Sequence, residues 1–338
     1  MPKQLILVRQ GKRANTSLMQ NLLSKSRTPK LTAPLSDKGK RSSQRLGVWL
    51  AQNQFQPDEV ISSTAESAVT SAEKMLKAMG LSVNKLRINK KLYKSSHQEL
   101  LLLLQSLPES ANRIILVTNN KILERLLSIL LGQAALQKHT SRDGKLFKSS
   151  SVAVLNITSE WRSIAEKKVD LLTLQHKDAY QKSFPYPNIE GTERRIRPAY
   201  YYQQSAVIPY RKKKNSLQIL LISNSRNTSW VIPKGIHEPG LSAQESAAKE
   251  AFEEAGIEGI IEDTEIGYYQ YEKWQANCQV VVYPMQVLQV LAKNKWPESH
   301  RVRRWVTPEQ ACELVNQSAL VPLIQQLVAN MSSQLKTE

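Results

Sequence analysis

The first half of the chain alternates short apolar runs with longer segments in which apolar residues recur every three or four positions. The short runs predict strands and the longer segments predict amphipathic helices. Such alternation favours an α/β layered domain with a mostly parallel sheet. The predicted strands are Gln4–Val8, Glu59–Ser62, Lys85–Ile88, Arg113–Val117 and Val152–Ile157, and the predicted helices are Asp37–Gln52, Ser67–Met79, Ser96–Leu107 and Lys121–Leu131.

The periodicity stops between residues 172 and 198, where Pro185, Pro187 and Pro198 predict a linker. We therefore expect one domain over residues 1–171 and a second over residues 199–333. In the second domain the pattern predicts strands, then a helix, then strands, then helices. Its strands are expected at Tyr200–Pro209, Leu217–Ser223, Ile266–Tyr271 and Gln279–Val290, with late helices at Pro308–Val315 and Leu323–Met331.

The central helix of the second domain carries its own start and stop signals. Ser242 and Glu245 form an S-x-x-E capping box, and Gly256 is a natural helix stop. A row of alanines supplies the apolar side between these signals. We expect this helix to follow a loop and to present its polar face to a ligand.

Three glutamates, Glu250, Glu253 and Glu254, share one face of this helix because positions i, i+3 and i+4 are neighbours. Like charges repel, so a cation should lie against them. Ligands that are all oxygen favour a hard ion such as Mg²⁺ or Mn²⁺. The alternative is an acidic helix face exposed to water, and the glutamates alone do not separate the two interpretations.

The segment from Gly235 to Ile257 resembles the Nudix box, whose pattern is G-x5-E-x7-R-E-U-x-E-E-x-G-U with U an aliphatic residue. Leu241 stands where the first Glu is expected, Lys249 replaces the Arg, and Ala251 fills the first aliphatic position. The positions that match are Gly235, Glu250, Glu253, Glu254, Gly256 and Ile257.

The flanking segments extend the resemblance over about Pro198–Met331. Trp230–Gly235 is similar to the W-x-x-P-K-G entry of Nudix enzymes that act on dinucleoside polyphosphates and diphosphoinositol polyphosphates. Trp296–Trp305 is similar to the late W-P-E strand region of the same branch. The resemblance implies an α/β/α Nudix sandwich that hydrolyses a nucleoside diphosphate linked to another group, or a related phosphoanhydride.

The resemblance also implies roles for individual residues. Mg²⁺ or Mn²⁺ would neutralise pyrophosphate charge and activate the attacking water. Lys249 is a weaker substitute for Arg, which orients a glutamate by a planar two-pronged contact. For Arg303 and Arg304, ordinary surface charge is as good an explanation as a contact with phosphate. The implied metal ligands are Gly235 (carbonyl), Glu250, Glu253 and Glu254, the implied proton acceptor is Glu254, and the candidate phosphate-binding residues are Lys234, Arg303 and Arg304.

The first half resembles the histidine phosphatase family, closest to its short SixA-like branch. Four motifs occur in order over about residues 1–165. The opening strand with R-H-G is matched by Leu5–Gly11, and P-L-S-x-x-G by Pro34–Gly39. Ser62–Glu73 matches the S-S-x-x-x-R-A-x-x-T-A-E motif, and Val117–Asn120 matches the later strand followed by G-H-N.

Three of the family's chemical groups are replaced in this sequence. Gln10 stands at the nucleophilic His, Ser67 at the second Arg, and Asn119 at the second His. An amide cannot replace an imidazole nucleophile, and neutral side chains stabilise a transferring phosphoryl group poorly. Only Arg9 remains. We expect a pseudo-phosphatase that binds anions through Arg9, or a purely structural or dimerising domain.

The net charge of +18 is concentrated in the first half. Residues 1–170 hold 28 Lys and Arg against 12 Asp and Glu, whereas residues 171–338 hold 19 against 17. A basic half favours a polyanion such as RNA or polyphosphate, with solubility as the alternative explanation. Few aromatic residues occur there, which argues against a base-stacking platform for single strands.

The remaining composition indicates a globular cytoplasmic protein. At 338 residues the chain has room for about two domains. No apolar run is long enough to cross a bilayer, and Met1 leads into a predicted strand without a signal-peptide pattern. Cys278 and Cys312 lie far apart, as expected for reduced thiols. The oligomeric state is not determined by the sequence.

Three functional hypotheses follow from the sequence. The first is a metal-dependent Nudix pyrophosphohydrolase that acts on a highly phosphorylated small molecule. The second is removal of pyrophosphate from an RNA 5′ end, suggested by the basic half. The third is a non-catalytic sensor that binds a phosphorylated ligand. Metal-dependent turnover separates the third hypothesis from the other two.

Overall fold

The computed structural model describes residues 3–15, 31–132, 136, 146–164, 169–213 and 216–334. The chain divides into two compact units, Met1–Arg194 and Arg195–Glu338. The division lies inside the segment predicted as a linker, near its C-terminal end. Residues 172–175, at the start of that segment, belong to a strand of the first unit.

The first unit contains a six-stranded sheet with the order β3-β2-β4-β1-β5-β6. The first four strands in this order run parallel, whereas β5 and β6 are antiparallel to their neighbours. The predicted parallel arrangement is therefore correct for four strands, and β6 was not predicted. The strands are β1 (Lys3–Arg9), β2 (Glu59–Ser62), β3 (Leu86–Ile88), β4 (Arg113–Thr118), β5 (Val152–Ile157) and β6 (Val169–Gln175).

Helices cover both faces of this sheet. Along β1, Leu5 and Leu7 contribute to one hydrophobic core, and Ile6 and Val8 contribute to another. Two cores are needed because successive side chains of a strand point to opposite faces. The helices α3 and α4 supply the first core, and α1 and α2 supply the second. The helices are α1 (Asp37–Gln52), α2 (Glu66–Ala78), α3 (His97–Gln105) and α4 (Asn120–Leu131).

The second unit contains an eight-stranded mixed sheet. Its main path is β11-β10-β9-β15-β13, to which β12, β14 and β16 add through β9, β15 and β10. A separate two-stranded sheet pairs β7 (Phe184–Tyr186) with β8 (Glu193–Arg195). The strands of the mixed sheet are β9 (Gln203–Lys213), β10 (Ser216–Ser223), β11 (Trp230–Val231), β12 (Lys234–Ile236), β13 (Ile257–Ile261), β14 (Gly267–Lys273), β15 (Ala276–Val290) and β16 (Arg303–Val306).

This sheet also lies between two layers of helix. Ala206 and Ile208 of β9 belong to the core shared with α6 (Pro308–Leu314) and α7 (Val321–Gln334). Val207, between them, belongs to the core shared with α5 (Ala243–Glu250). Both units are therefore α/β/α, as the sequence predicts. The packing brings the acidic face of α5 close to β12.

Candidate active site

The predicted signals of the central helix are present in the structure. The Ser242 hydroxyl accepts from the Glu245 amide at 3.1 Å, and the Glu245 carboxylate accepts from the Ser242 amide at 2.6 Å. Gly256 ends the helix with a left-handed φ of 59°. The last turn, Ala251–Ala255, is a π-helix, which the sequence did not predict. Glu253 and Glu254 lie within this wider turn, and turns of this kind are frequent at functional sites.

The carboxylate of Glu250 lies directly on the backbone of Gly235. A Cβ atom added to Gly235 would be 2.0 Å from both Cδ and Oε1 of Glu250. Only glycine leaves room for this approach. Burial, with the nearby charges of Glu254 and Glu253, raises the pKa of Glu250 to about 7.

Glu254 is fixed through both of its carboxylate oxygens. Oε1 accepts from Arg301 Nη2 at 2.5 Å, and Oε2 accepts from the backbone amide of Lys234 at 3.0 Å. Burial raises the pKa of Glu254, although Arg301 and Lys234 act in the opposite direction. The side chain is therefore held in one orientation in a largely buried position.

Arg301 is a site residue that the sequence interpretation missed. Besides Glu254, it contacts Oε2 of Glu298 at 2.7 Å and the carbonyl of Ser223 at 3.2 Å. The Glu298 amide donates to the Glu253 carbonyl at 3.0 Å, which attaches this loop to the helix. The only feature of the sequence that pointed to Arg301 was its position within the late W-P-E segment, Trp296–Trp305.

Lys249 forms its shortest ion pair with Glu238, at 2.8 Å, and a longer one with Glu253, at 3.7 Å. Burial lowers the pKa of Lys249, but the hydrogen bond and charge of Glu238 more than offset that effect, so the pKa is raised. Glu238 was not predicted as a site residue. It lies three positions before Leu241, whose side chain cannot supply the expected carboxylate.

Lys234 is on β12 and lies close to the carboxylates of Glu250 and Glu254. Its Nζ is 3.2 Å from the Tyr271 hydroxyl and 4.7 Å from the centre of that ring. The hydroxyl donates in turn to Gln204 at 2.9 Å. Burial lowers the pKa of Lys234, while Glu254 and Glu250 oppose the shift. A cation at this position can contact an anionic ligand that binds next to the glutamates.

The two late arginines have different surroundings. Arg303 donates to the carbonyls of Ala255, Gly256 and Leu291, and its guanidinium lies 4.1 Å from the centre of the Trp296 ring. These contacts anchor the end of the helix, and the contact of Arg303 with a substrate phosphate stays a prediction. Arg304 is exposed and lies 5.9 Å from the centre of the Trp230 ring.

The residues expected to hold a metal ion fit that role by donor type. The carboxylates of Glu250, Glu253 and Glu254 and the carbonyl of Gly235 are all oxygen donors, which suits Mg²⁺ or Mn²⁺. Like charges held together in a partly dry site favour a bound cation. Among the described residues, however, no three acidic, histidine or cysteine side chains have already converged as a metal cluster.

In the other unit, the neutral motif residues Gln10 and Ser67 form a hydrogen-bonded network with Arg13. Gln10 is buried, and its side-chain amide lies 2.9 Å from the Ser67 hydroxyl. Arg13 Nε approaches the same hydroxyl at 3.2 Å. When the side-chain amide of Gln10 is flipped so that its oxygen and nitrogen exchange places, its oxygen accepts hydrogen bonds from Ser67 and from Arg13. Asn119 caps α4 by accepting from the Ile122 amide at 3.2 Å.

Arg9, the motif residue that remains from the phosphatase pattern, is half-buried. Its Nη1 donates to the carbonyl of Phe147. Burial lowers the pKa of Arg9, with smaller effects from Glu124 and Arg13. Arg9, Gln10 and Asn119 line one cleft.

The family model described as NUDIX domain matches residues 201–327. The C-terminal half of the chain is a NUDIX domain. It is a hydrolase domain of the class that acts on pyrophosphate bonds. Nudix hydrolase 12, mitochondrial, of Arabidopsis thaliana is 28% identical over 158 residues, which cover 40% of this chain and 77% of that protein.

A second relative is the bis(5′-nucleosyl)-tetraphosphatase [asymmetrical] of Sus scrofa. It is 29% identical over 118 residues, covering 33% of this chain and 78% of that protein. Among solved structures, the protein histidine phosphatase SixA complexed with tungstate is similar to 52% of this chain and 97% of its own, with 15% identity and a TM-score of 0.41.

Proposed function

We propose that the chain is a Mg²⁺- or Mn²⁺-dependent pyrophosphohydrolase that cleaves a phosphoanhydride in a highly phosphorylated small molecule. The main supporting observation is the contact between Glu250 and the Gly235 backbone, beside Glu254 held by Arg301. A nucleoside diphosphate linked to another group is the favoured substrate class. The pig relative named as a tetraphosphatase supports that choice.

Each residue has a role in this proposal. Glu250, Glu253, Glu254 and the Gly235 carbonyl would hold the ion, which when bound supplies charge neutralisation and water activation. Lys234 contacts a substrate phosphate from β12. Arg301 orients Glu254, and because each carboxylate oxygen keeps a further lone pair, Glu254 can accept a proton from water while this ion pair is intact.

Lys249 and the two arginines have secondary roles. Lys249 orients Glu253 and stabilises the loop through Glu238. Arg304, which is exposed, remains a candidate phosphate contact. Arg303 positions the end of the helix through its three carbonyl contacts and, like Arg304, is kept as a candidate phosphate contact.

The N-terminal unit is proposed to be catalytically silent. A nucleophile must carry an available lone pair, and the Gln10 amide is engaged with Ser67 in a buried position. Asn119 is committed to capping α4. Anion binding through Arg9 is compatible with this arrangement.

The other expectations remain part of the proposal. A polyanion such as RNA or polyphosphate would bind the basic half, and hydrolysis at an RNA 5′ end is the second candidate activity. A non-catalytic sensor is the third. No helix among the described residues is long and apolar enough to cross a membrane. A cytoplasmic location is proposed, although the Arabidopsis relative is named as mitochondrial.

Glu250→Gln and Glu253→Gln test this function, with Glu258→Gln as the matched control on an exposed acid of β13. Each of the two test variants keeps the side chain's shape and removes a charged ligand. We expect Mg²⁺-dependent turnover of a dinucleoside tetraphosphate to fall on the order of a hundredfold or more. The control should retain wild-type turnover.

Thermal unfolding in EDTA supplies a second measurement. Glu250→Gln should melt at a higher temperature than wild type because it removes repulsion from Glu253 and Glu254. Full turnover in both test variants would reject the metal site. No turnover by wild type with dinucleoside polyphosphates, inositol pyrophosphates, nucleoside triphosphates or 5′-triphosphate RNA would favour the sensor.

A further inference from the structure

A cleft of about 1040 Å³ opens in the N-terminal unit, where β1 and β4 end. It is lined by three stretches of chain, residues 9–15, 93–96 and 119–122, together with Glu99, Arg125 and Ser149. Its volume is at the upper end of the range for small-molecule sites, about 300–1,000 Å³. Crevices beyond the carboxyl ends of parallel strands are common ligand sites in α/β sheets.

The charge of this cleft is strongly one-sided. Its described lining contains one carboxylate, Glu99, which caps α3 by accepting from the Ser96 amide at 2.7 Å. The cations are contributed by all three stretches of chain and by Arg125, so they surround the space. They are Arg9, Lys12, Arg13, Lys94, Lys121 and Arg125.

Helix ends add to the positive potential of this cleft. Asn119 and Ser96 are the N-caps of α4 and α3, and both line the cleft. The amide groups of a first helical turn carry partial positive charge and favour anions. The cations and the helix ends are separate features of the sequence, yet both favour the same kind of ligand.

Resting on the anion binding through Arg9 proposed above, we infer that this cleft binds a small molecule that carries several phosphate groups, without cleaving it. Several separated cations suit several phosphates, because one phosphate can contact only a few of them. The cations converge on a concave space, whereas a long nucleic acid requires a groove that follows its backbone. The described lining includes no imidazole, so a bound phosphate has no such nucleophile to accept it.

Calorimetric titration of the full chain with inorganic tripolyphosphate tests this inference. EDTA is included so that no divalent ion contributes at the Nudix site. The test variant is Lys94→Glu with Lys121→Glu, two exposed cleft residues. The control is Arg87→Glu with Lys182→Glu, which makes the same charge change at exposed positions that do not line the cleft.

We expect the cleft variant to bind tripolyphosphate about tenfold more weakly or worse, and the control to bind within about threefold of wild type. Equal weakening in both variants would indicate general charge attraction and overturn the inference. Tripolyphosphate failing to bind wild type, or binding only of a long RNA, would also overturn it. Turnover at the Nudix site is measured separately with Mg²⁺, so either proposal can fail alone.

Discussion

The two units place polar residues at comparable positions, after strands and at helix ends, but they treat charge in opposite ways. In the N-terminal unit, Gln10 and Ser67 are buried, neutral and hydrogen-bonded to each other. In the Nudix unit, Glu250 and Glu254 are kept partly or fully buried near each other, and their pKa values are raised. The first arrangement places neutral partners together, whereas the second places like charges together and balances one of them, Glu254, with Arg301.

This difference separates a structural network from a functional one. A satisfied network stabilises its fold and needs no ligand. Carboxylates held together at a cost in stability indicate a site that a ligand completes. The C-terminal carboxylates follow the second pattern, whereas Gln10, Ser67 and Asn119 follow the first. The cations around the N-terminal network are the exception that the cleft inference addresses.

Of the changes that compare the two units, Gly235→Ala should produce the largest effect on activity. Its Cβ would collide with the carboxylate of Glu250, which can move because it is the end of a flexible side chain. We expect turnover to fall about a hundredfold, with little change in melting temperature.

Gly39→Ala is the comparison in the other unit. Its Cβ would lie 2.2 Å from the Lys12 carbonyl oxygen, which is backbone. We expect lower thermal stability of the first unit with Nudix turnover retained. Loss of stability in Gly235→Ala, or of turnover in Gly39→Ala, would contradict this contrast between the units.

Arg301→Met tests whether Glu254 depends on its partner. Both side chains are close to fully buried, with 10% and 12% exposure, and the ion pair is 2.5 Å long. Removing one partner of such a pair costs about 3 kcal/mol because a buried charge is left unpaired. The melting temperature should fall and kcat should decrease more than KM changes.

Arg301→Lys supplies the conservative comparison and should restore part of kcat. Arg226→Met, at an exposed position, is the matched control and should behave as wild type. An unchanged kcat in Arg301→Met would remove the positioning role. A fall in kcat of the control would show that the effect is not specific to the pair.

Glu109 should show the opposite electrostatic behaviour to Glu250. A hydrogen bond from Lys3 at 2.6 Å, with backbone donors from Arg162 and Trp161, lowers the pKa of Glu109 from 4.5 to about 2. Because its folded-state pKa is lower than the unfolded value, its contribution is fully present above pH 4.5. That contribution is lost as the pH falls toward 2.

Melting temperatures of wild type and Glu109→Gln from pH 7 to pH 2 check this expectation. The variant should be less stable above pH 4.5, and the two curves should converge near pH 2. Glu66→Gln, at an exposed acid of the same unit, is measured beside it as the control for loss of one negative charge. A constant difference over the whole range would contradict the assigned ion pair.

Gln10→His should have the smallest effect. The new imidazole would lie beside Ser67 and Asn119, which cannot neutralise a phosphoryl group in transfer. We expect no phosphomonoesterase activity and no phospho-enzyme with a phosphohistidine donor, as for wild type. Phosphate labelling of the variant, detected by mass spectrometry, would show that the silent unit lacks only its nucleophile.

The sequence by itself determined the layered fold of both units and most of their elements. Hydrophobic periodicity is local, so helix α1 and strands β2 and β5 were predicted at their observed bounds. The short strand β12 and the added strand β6 were missed because sheet partners stabilise them, not their own pattern. The capping box and the Gly256 stop were predicted because their hydrogen bonds and backbone angles are also local.

The three glutamates were also evident in the sequence, because helical spacing alone places them on one face. Tertiary structure decided what surrounds them. Arg301 contacts Glu254 although the two residues are 47 positions apart in the sequence, and no local pattern encodes that contact. Glu238 pairs with Lys249 only because a loop turns back on α5. The same limit applies to the carbonyl contacts of Arg303, since partners distant in sequence are set by packing and not by a local pattern.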